Sequence, residues 1–251
     1  MILPLVPDAG FYAVAVPAVL LMGLAKSGFR GGFGSLAVPL MSLAVPVPQA
    51  AAIMLPLLLV MDAVGLQQMW KQRDSDLLRL LLPAGLIGTV VGTLSFGLLS
   101  GRTVAAVVGA LTLMFLAQRL VFPPRADAPP PSRRLGFALG VASGFTSFVA
   151  HAGSPPIAAY VLPLRLPPIT FAATMAVFFA AVNLSKWIPY AWLGLIDATN
   201  MATSLVLLPL APVGVWLGIR LTRRIRPTWF YRIAYTGMFF TGAKLLWDGV
   251  A

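Results

Sequence analysis

The sequence has no cysteine, a single histidine and few charged residues. Without cysteine there is no disulfide framework, no thiolate metal site and no cysteine nucleophile. With His151 as the sole histidine, one chain cannot supply a metal site of several histidines. Asp, Glu, Lys and Arg make up 10% of the 251 residues, against about 25% in soluble domains. The chain therefore cannot form a charged exterior, and its surface is predicted to face lipid.

The chain contains long stretches without charged residues, and 59% of it is hydrophobic. A helix needs about 20 apolar residues to cross a bilayer. The second and seventh of the predicted segments are too short for this, so we expect each to fold back on its predecessor as a broken-helix hairpin. The predicted fold is an all-α polytopic membrane protein. Its ten segments are 11–27, 33–45, 49–70, 77–99, 103–121, 134–150, 155–164, 168–190, 198–220 and 228–248.

A proline-rich stretch divides the chain into two similar halves. Ser27-Gly28-Phe29 matches Ser143-Gly144-Phe145, and Leu82-Pro83 matches Leu208-Pro209 in the same order along the chain. We expect two inverted repeats, each with one hairpin and three spanning helices. The predicted division is a first repeat over 1–121, a cytoplasmic linker over 122–132 and a second repeat over 133–251.

The basic residues predict the orientation, because cytoplasmic loops of membrane proteins are rich in Lys and Arg. With the linker inside, only Arg102 and Lys244 lie outside. Both termini are then expected outside a bacterial cytoplasmic (inner) membrane. The net charge of +11 is interpreted as a topology signal near anionic lipid, with no nucleic-acid partner. The inside residues are Lys71, Arg73, Arg79, Arg119, Arg125, Arg133, Arg134, Arg165, Arg220, Arg223, Arg224, Arg226 and Arg232.

Two glycine-rich breaks, at 23–39 and 143–156, carry the strongest local signal. A break inside a membrane exposes backbone N–H groups, and the half-helices that follow would point their N-termini at the midplane. Such N-termini favour anions. We therefore predict a binding site for a small anion at the two tips. Its candidate residues are Lys26, Ser27, Gly28, Arg30, Gly31, Gly32, Gly34, Ser35, Ser147, His151, Gly153, Ser154, Asn183 and Lys186.

Each candidate also has a plainer interpretation. Lys26 and Arg30 either hold the anion or extend to an aqueous vestibule, and the serines either donate to the anion or bond their own helix backbone. His151 and Asp62 are candidates for proton coupling. His151 is otherwise a packing histidine, and Asp62 otherwise pairs with a buried cation or another helix.

The doubled pattern resembles a known family. A small-residue break precedes Gly32-Phe33-Gly34-Ser35 in one half and Gly153-Ser154-Pro155-Pro156 in the other, and an LPxxxxGxxxG helix follows in each. This is similar to the TauE/SafE sulfite exporter family over about residues 11–248. The resemblance implies a transporter of sulfite, sulfonates or related organosulfur acids. Independently of the resemblance, we expect a proton gradient, another cation gradient or the substrate gradient itself to drive transport.

Other functions compete with this interpretation. The same basic tips would suit an anion channel. An intramembrane serine hydrolase would use Ser154 with His151, but residues three apart on one turn rarely align as nucleophile and base. No GxxxxGK[ST] motif is present, so ATP hydrolysis is not expected. We predict a transporter without enzymatic activity, cofactor or metal. The first residues lack a basic region and a cleavage site, so no cleaved signal peptide is expected.

Overall fold

The computed structural model describes residues 5–6, 8–26, 33–96, 98, 100–121, 131–221 and 227–251. All regular structure in these ranges is helical. A 3₁₀ turn at Phe33–Leu36 precedes the second helix. The α-helices are α1 Ala9–Lys26, α2 Ala37–Met41, α3 Val47–Met69, α4 Ser75–Phe96, α5 Gly101–Val121, α6 Arg133–Ala150, α7 Ser154–Val161, α8 Pro168–Ser185, α9 Trp187–Trp192, α10 Ala198–Leu207, α11 Leu210–Leu221 and α12 Pro227–Val250.

Several of the described helices are long and apolar enough to cross a membrane. Five meet both conditions, namely α1, α3, α4, α5 and α8 with its continuation into α9. The bent pair α10–α11 adds a sixth if it is counted as one span. The prediction of an all-α polytopic membrane protein is confirmed.

Two predicted segments are each divided in two by proline. Segment 198–220 bends by 44° between α10 and α11, where Pro209 interrupts the helix. Segment 168–190 breaks at Lys186. Pro189 has no N–H to donate to the carbonyl of Ser185, four residues earlier, so α8 ends there. The Lys186 side chain at this turn is fully buried in the protein.

Helix packing joins the two halves of the chain in four main pairs. They are α1 with α11, α4 with α6, α3 with α8, and α5 with α12. Glycines allow the closest approaches. A Cβ at Gly23 would lie 2.7 Å from the backbone of Gly214, and one at Gly144 would lie 2.0 Å from the Gly85 carbonyl oxygen. No larger residue fits at these crossings without moving a helix.

The third helix lies in the centre of the molecule. Its residues from Ala50 to Leu55 are completely buried. The sequence of this part of α3 is accordingly apolar on all sides and not amphipathic. On α4, by contrast, Val90 and Leu94 are exposed while Gly88 and Gly92 are buried. The exposed apolar face of α4 is typical of contact with lipid. The buried α3 carries Asp62 into the interior.

Candidate functional site

The connection between α6 and α7 is a tight turn built around His151. His151 has φ +51° and forms the left-handed cap of α6, a conformation that glycine normally supplies. Its N–H donates to the Ser147 carbonyl at 3.0 Å. The Ser143 hydroxyl donates to the Gly153 carbonyl at 2.6 Å and closes the turn from the other side. This left-handed conformation of His151 is uncommon for non-glycine residues, although histidine adopts it more often than most.

The fully buried Lys186 ammonium is the hub of a polar cluster behind this turn. Lys186 Nζ lies 2.7 Å from the Ser147 carbonyl and 2.8 Å from the Ser147 hydroxyl. It also lies 2.9 Å from His151 Nδ1 and 2.9 Å from Asn183 Oδ1. These contacts replace the water that the charge loses on burial.

The hydrogen bonds fix the protons in this cluster. His151 Nε2 lies 2.9 Å from the Ala51 carbonyl, which can only accept, so Nε2 carries the hydrogen. His151 Nδ1 then accepts from Lys186, as do Asn183 Oδ1 and the Ser147 carbonyl. Three donated bonds account for all three protons of an ammonium group. This arrangement is that of a charged Lys186 beside a neutral His151.

Asp62 connects this cluster to the first half of the chain. Asn183 Nδ2 donates to Asp62 Oδ2 at 2.7 Å, and Lys26 Nζ forms an ion pair with Asp62 Oδ1. Lys26 Nζ also lies 5.2 Å from the centre of the Phe179 ring, within the range of a cation–π contact. The Lys26 side chain is 19% exposed and that of Asp62 is 2% exposed, so Lys26 is the more accessible partner.

A cavity of about 420 Å³ lies against this cluster. Helices α1, α3, α7 and α8 all contribute to its wall. Among the lining residues of α8, Ile169 is 49% exposed and Asn183, which contacts the polar cluster, is 2% exposed. The predicted site residues that line it are Lys26, Gly34, Ser147, His151, Ser154 and Asn183, together with the proton-coupling candidate Asp62.

Other predicted site residues lie elsewhere. Three buried candidates within the described ranges do not line the cavity, namely Ser35, Gly153 and Lys186. Lys186 is behind the wall, where it holds lining residues in place. The remaining candidates fall outside the described residues; they are Ser27, Gly28, Arg30, Gly31 and Gly32.

The charges at the buried end of the cavity do not balance. Two ammonium groups, Lys26 and Lys186, accompany one carboxylate, Asp62. With both amines protonated, the described part of the site has a net charge of about +1, which an anion would neutralise. Partial or complete burial strengthens this attraction, because the effective dielectric constant is lower than in water.

The comparison with protein families agrees with this architecture. The model of the family described as "Sulfite exporter TauE/SafE" matches residues 15–245. The chain belongs to the TauE/SafE sulfite exporter family. No curated protein and no solved structure matches it.

This TauE/SafE protein is therefore a membrane transporter of sulfur oxyanions and belongs to a family of transporters, not of enzymes. Its geometry also disfavours the hydrolase alternative. Both ring nitrogens of His151 are engaged, Nε2 by the Ala51 carbonyl and Nδ1 by Lys186. Neither is available to act as a base toward Ser154.

The site of the TauE/SafE protein depends on side chains more than the sequence suggests. The first turn of α7 contains Pro155 and Pro156, which have no N–H groups to donate. In the other hairpin a 3₁₀ turn leads into α2, which has only five residues. The two half-helices thus offer fewer amide donors than two full helix N-termini.

Sequence reasoning missed most of the cavity wall. One face of α8 lines the cavity, but this helix is apolar on every side, so no periodic pattern identifies the lining face. The lining residues of α8 recur every three or four positions. This spacing can be recognised only once Asn183 is known to point inward. The apolar lining residues on α8 are Pro168, Ile169, Phe171, Ala172, Met175, Ala176 and Phe179.

Proposed function

We propose that this chain is a secondary transporter that moves a small sulfur-containing oxyanion by alternating access. The anion would bind in the cavity between the two hairpins. The observation that carries the proposal is the excess of basic groups at the buried end, where two amines, of Lys26 and Lys186, accompany one carboxylate, Asp62.

The anion would contact Lys26 first. Its side chain is partly exposed beside the cavity and its ammonium group is bonded to Asp62. Ser154 lines the same space, and its hydroxyl has no hydrogen-bond partner among the described residues. Ser147 and the backbone at Gly34 complete the polar surface. Lys186 and His151 would hold this surface rigid, since their hydrogen bonds are directed at each other.

The packing of the helices supports the two inverted repeats that alternating access requires. The first helix of each half packs on the fourth segment of the other, as α1 with α11 and α6 with α4. The third segments pair as α3 with α8, and the fifth as α5 with α12. This exchange of equivalent partners is expected from a twofold relation between the halves and is typical of secondary transporters.

The proposed orientation indicates the side of the membrane to which the cavity opens. The wall formed by α8 is most exposed at Pro168 and Ile169, next to Arg165, which the charge distribution assigns to the cytoplasmic side. We infer that this conformation is accessible from inside a bacterial cytoplasmic membrane, with both termini outside. Asp62 and His151 are the candidates for proton coupling, since both touch the polar cluster.

The proposal is tested by reconstituting the full chain in liposomes and measuring uptake of labelled sulfite and methanesulfonate, with chloride as the control anion. We expect saturable uptake of at least one sulfur oxyanion, with Lys26→Met raising the KM ten- to a hundredfold, as loss of a charged hydrogen bond predicts. Lys71→Met is the matched control, because Lys71 is exposed beyond the end of α3.

Failure of every sulfur oxyanion to enter the liposomes would contradict the proposal. Passage of ions at rates far above carrier turnover would favour the anion channel instead. Wild-type KM in Lys26→Met would remove Lys26 from the site.

A further inference from the structure

The outer face of α11 carries an apolar stripe that ends in an arginine. Val213, Trp216 and Arg220 are all exposed, and their spacing of three and four residues places them on one side of the helix. The opposite side of α11 is buried, where Gly214 packs against Gly23 of α1. The stripe is therefore open to lipid when the protein is in a membrane.

Trp216 and Arg220 form a pair at the end of this stripe. The guanidinium group of Arg220 lies 3.8 Å from the centre of the Trp216 ring, which is a cation–π contact. Trp216 is 49% exposed, and none of the ion pairs among the described residues includes Arg220. The guanidinium N–H groups and the indole N–H are thus donors that this pair offers to an external acceptor.

A second tryptophan–arginine pair, just beyond the end of α3, shows what distinguishes Arg220. Arg73 lies 4.1 Å from the centre of the Trp70 ring, but it also donates to the Trp70 carbonyl at 2.7 Å. An acidic residue, Asp74, follows it directly. All charged residues from 198 to 247 are basic. The sequence around Arg220 therefore supplies no negative charge to balance its guanidinium group.

The length of α11 matches one leaflet of a bilayer. From Leu210 to Arg220 the helix rises about 15 Å at 1.5 Å per residue, which is half of the hydrocarbon core of roughly 30 Å. The charge distribution assigns Arg220 to the cytoplasmic side. With Arg220 at the level of the lipid headgroups, the bend at Pro209 lies near the midplane. An acyl chain of this leaflet can then lie along Val213 while its headgroup reaches Arg220.

We propose that the outer face of α11 binds an anionic phospholipid of the cytoplasmic leaflet. The phosphodiester accepts hydrogen bonds from Arg220 and Trp216, and one acyl chain lies along the stripe at Val213. A guanidinium group suits this acceptor because its fork of N–H donors matches two phosphate oxygens. Phosphatidylcholine carries its own cation beside the phosphate, so the unbalanced charge of Arg220 favours a lipid with a net negative charge. The bound lipid supports α11 on the side opposite its contact with α1.

Titration of the full chain in detergent with lipid, followed by native mass spectrometry, tests this inference. Wild-type protein should bind phosphatidylglycerol at least about fivefold more tightly than phosphatidylcholine with the same acyl chains. Arg220→Gln should lose most of this preference, because one arginine near an anionic surface contributes a factor of about five. Arg79→Gln is the matched control, since Arg79 is exposed on the same predicted side but is already paired with Asp76. Glycerol 1-phosphate, which has the phosphate without the acyl chains, should bind far more weakly than the lipid.

Thermal unfolding provides a second, independent measurement. A ligand that binds only the native state stabilises it, so phosphatidylglycerol should raise the Tm of wild type and of Arg79→Gln more than that of Arg220→Gln. Trp216→Leu keeps an apolar side chain but removes the ring, and it should also reduce the preference for phosphatidylglycerol. Trp192→Leu is its control, because Trp192 is 76% exposed on α9, away from the stripe, and should retain the wild-type preference.

Three results would overturn the inference. The first is equal binding of phosphatidylglycerol and phosphatidylcholine by the wild-type protein. The second is an unchanged preference in Arg220→Gln. The third is an equal loss in Arg79→Gln, which would mean that the net charge of the protein attracts the lipid and that the Trp216–Arg220 pair does not. None of these measurements uses a transported anion, so their outcome is independent of the proposed function.

Discussion

Lys186 donates a hydrogen bond to His151 across 2.9 Å, from a break in one helix to the left-handed cap of another. The two residues are 35 positions apart in the sequence, and both are buried. Through this bond the tip of the second hairpin is fixed to the end of α8. The stability of the site therefore depends on a residue that does not itself line the cavity.

We first predict that Lys186→Met destabilises the protein by about 2–4 kcal/mol, because His151 Nδ1 and Asn183 Oδ1 lose their donor while remaining buried. Lys244→Met is the matched control, since its ion pair with Asp248 is exposed and such pairs contribute about 0–1 kcal/mol. Denaturant unfolding in detergent gives both values. Equal stability of the two variants would show that Lys186 is not the hub described above.

Second, Asp62→Asn and Lys26→Met should change anion affinity in opposite directions. Asp62 competes with the anion for Lys26, so its neutralisation raises the net charge of the site from about +1 to about +2 and lowers the Kd. Lys26→Met lowers the net charge to about zero and raises the Kd. Calorimetry with methanesulfonate measures both, and Asp76→Asn is the control because Asp76 is exposed. A raised Kd in Asp62→Asn would mean that this carboxylate supports anion binding.

Third, His151→Gly should be more stable than His151→Ala by about 1 kcal/mol. Glycine adopts φ +51° without strain, whereas alanine retains the steric cost of the left-handed region. Both variants lose the imidazole, so the difference isolates the backbone effect. Thermal unfolding of the two proteins provides the comparison. Arg165 has φ +54°, and its glycine and alanine variants should differ in the same direction; the reverse order at His151 would contradict the assigned turn.

The absence of cysteine makes the orientation directly testable. Ser75 and Ser100 lie near opposite ends of α4, and both are exposed. In intact cells a membrane-impermeant maleimide should label Ser100→Cys, on the predicted outer side, and leave Ser75→Cys unlabelled. Permeabilised cells should allow labelling of both, and the parent chain should not react. Labelling of Ser75→Cys alone would reverse the proposed topology.

Much of the fold could be predicted because its signal is simple. Charged residues end most of the apolar segments, so the predicted bounds lie within a few residues of most helices. The bend at Pro209 and the single turn residue at Lys186 were not predicted, because each segment is long and apolar enough to form one span. Proline sometimes only kinks a membrane helix, and the sequence does not show which outcome applies.

The site was predictable to a similar extent. Asp62, Asn183 and Lys186 stand out because polar groups inside the membrane are costly and generally functional. Their partners were not predictable, since pairing depends on how far each helix is rotated about its axis. The sequence could not assign Lys26 to Asp62, or place Lys186 behind the cavity wall while Asn183 lines it.

The distribution of hydrogen bonds around the buried charges has a consequence for how the protein is made. Lys26 and its partner Asp62 both belong to the first half of the chain. The acceptors of Lys186, on Ser147, His151 and Asn183, all belong to the second half. Each half can therefore leave the insertion machinery with its own ammonium group already satisfied. Within this polar cluster, the described hydrogen bonds that join the two halves are those of Asn183 with Asp62 and of His151 with Ala51.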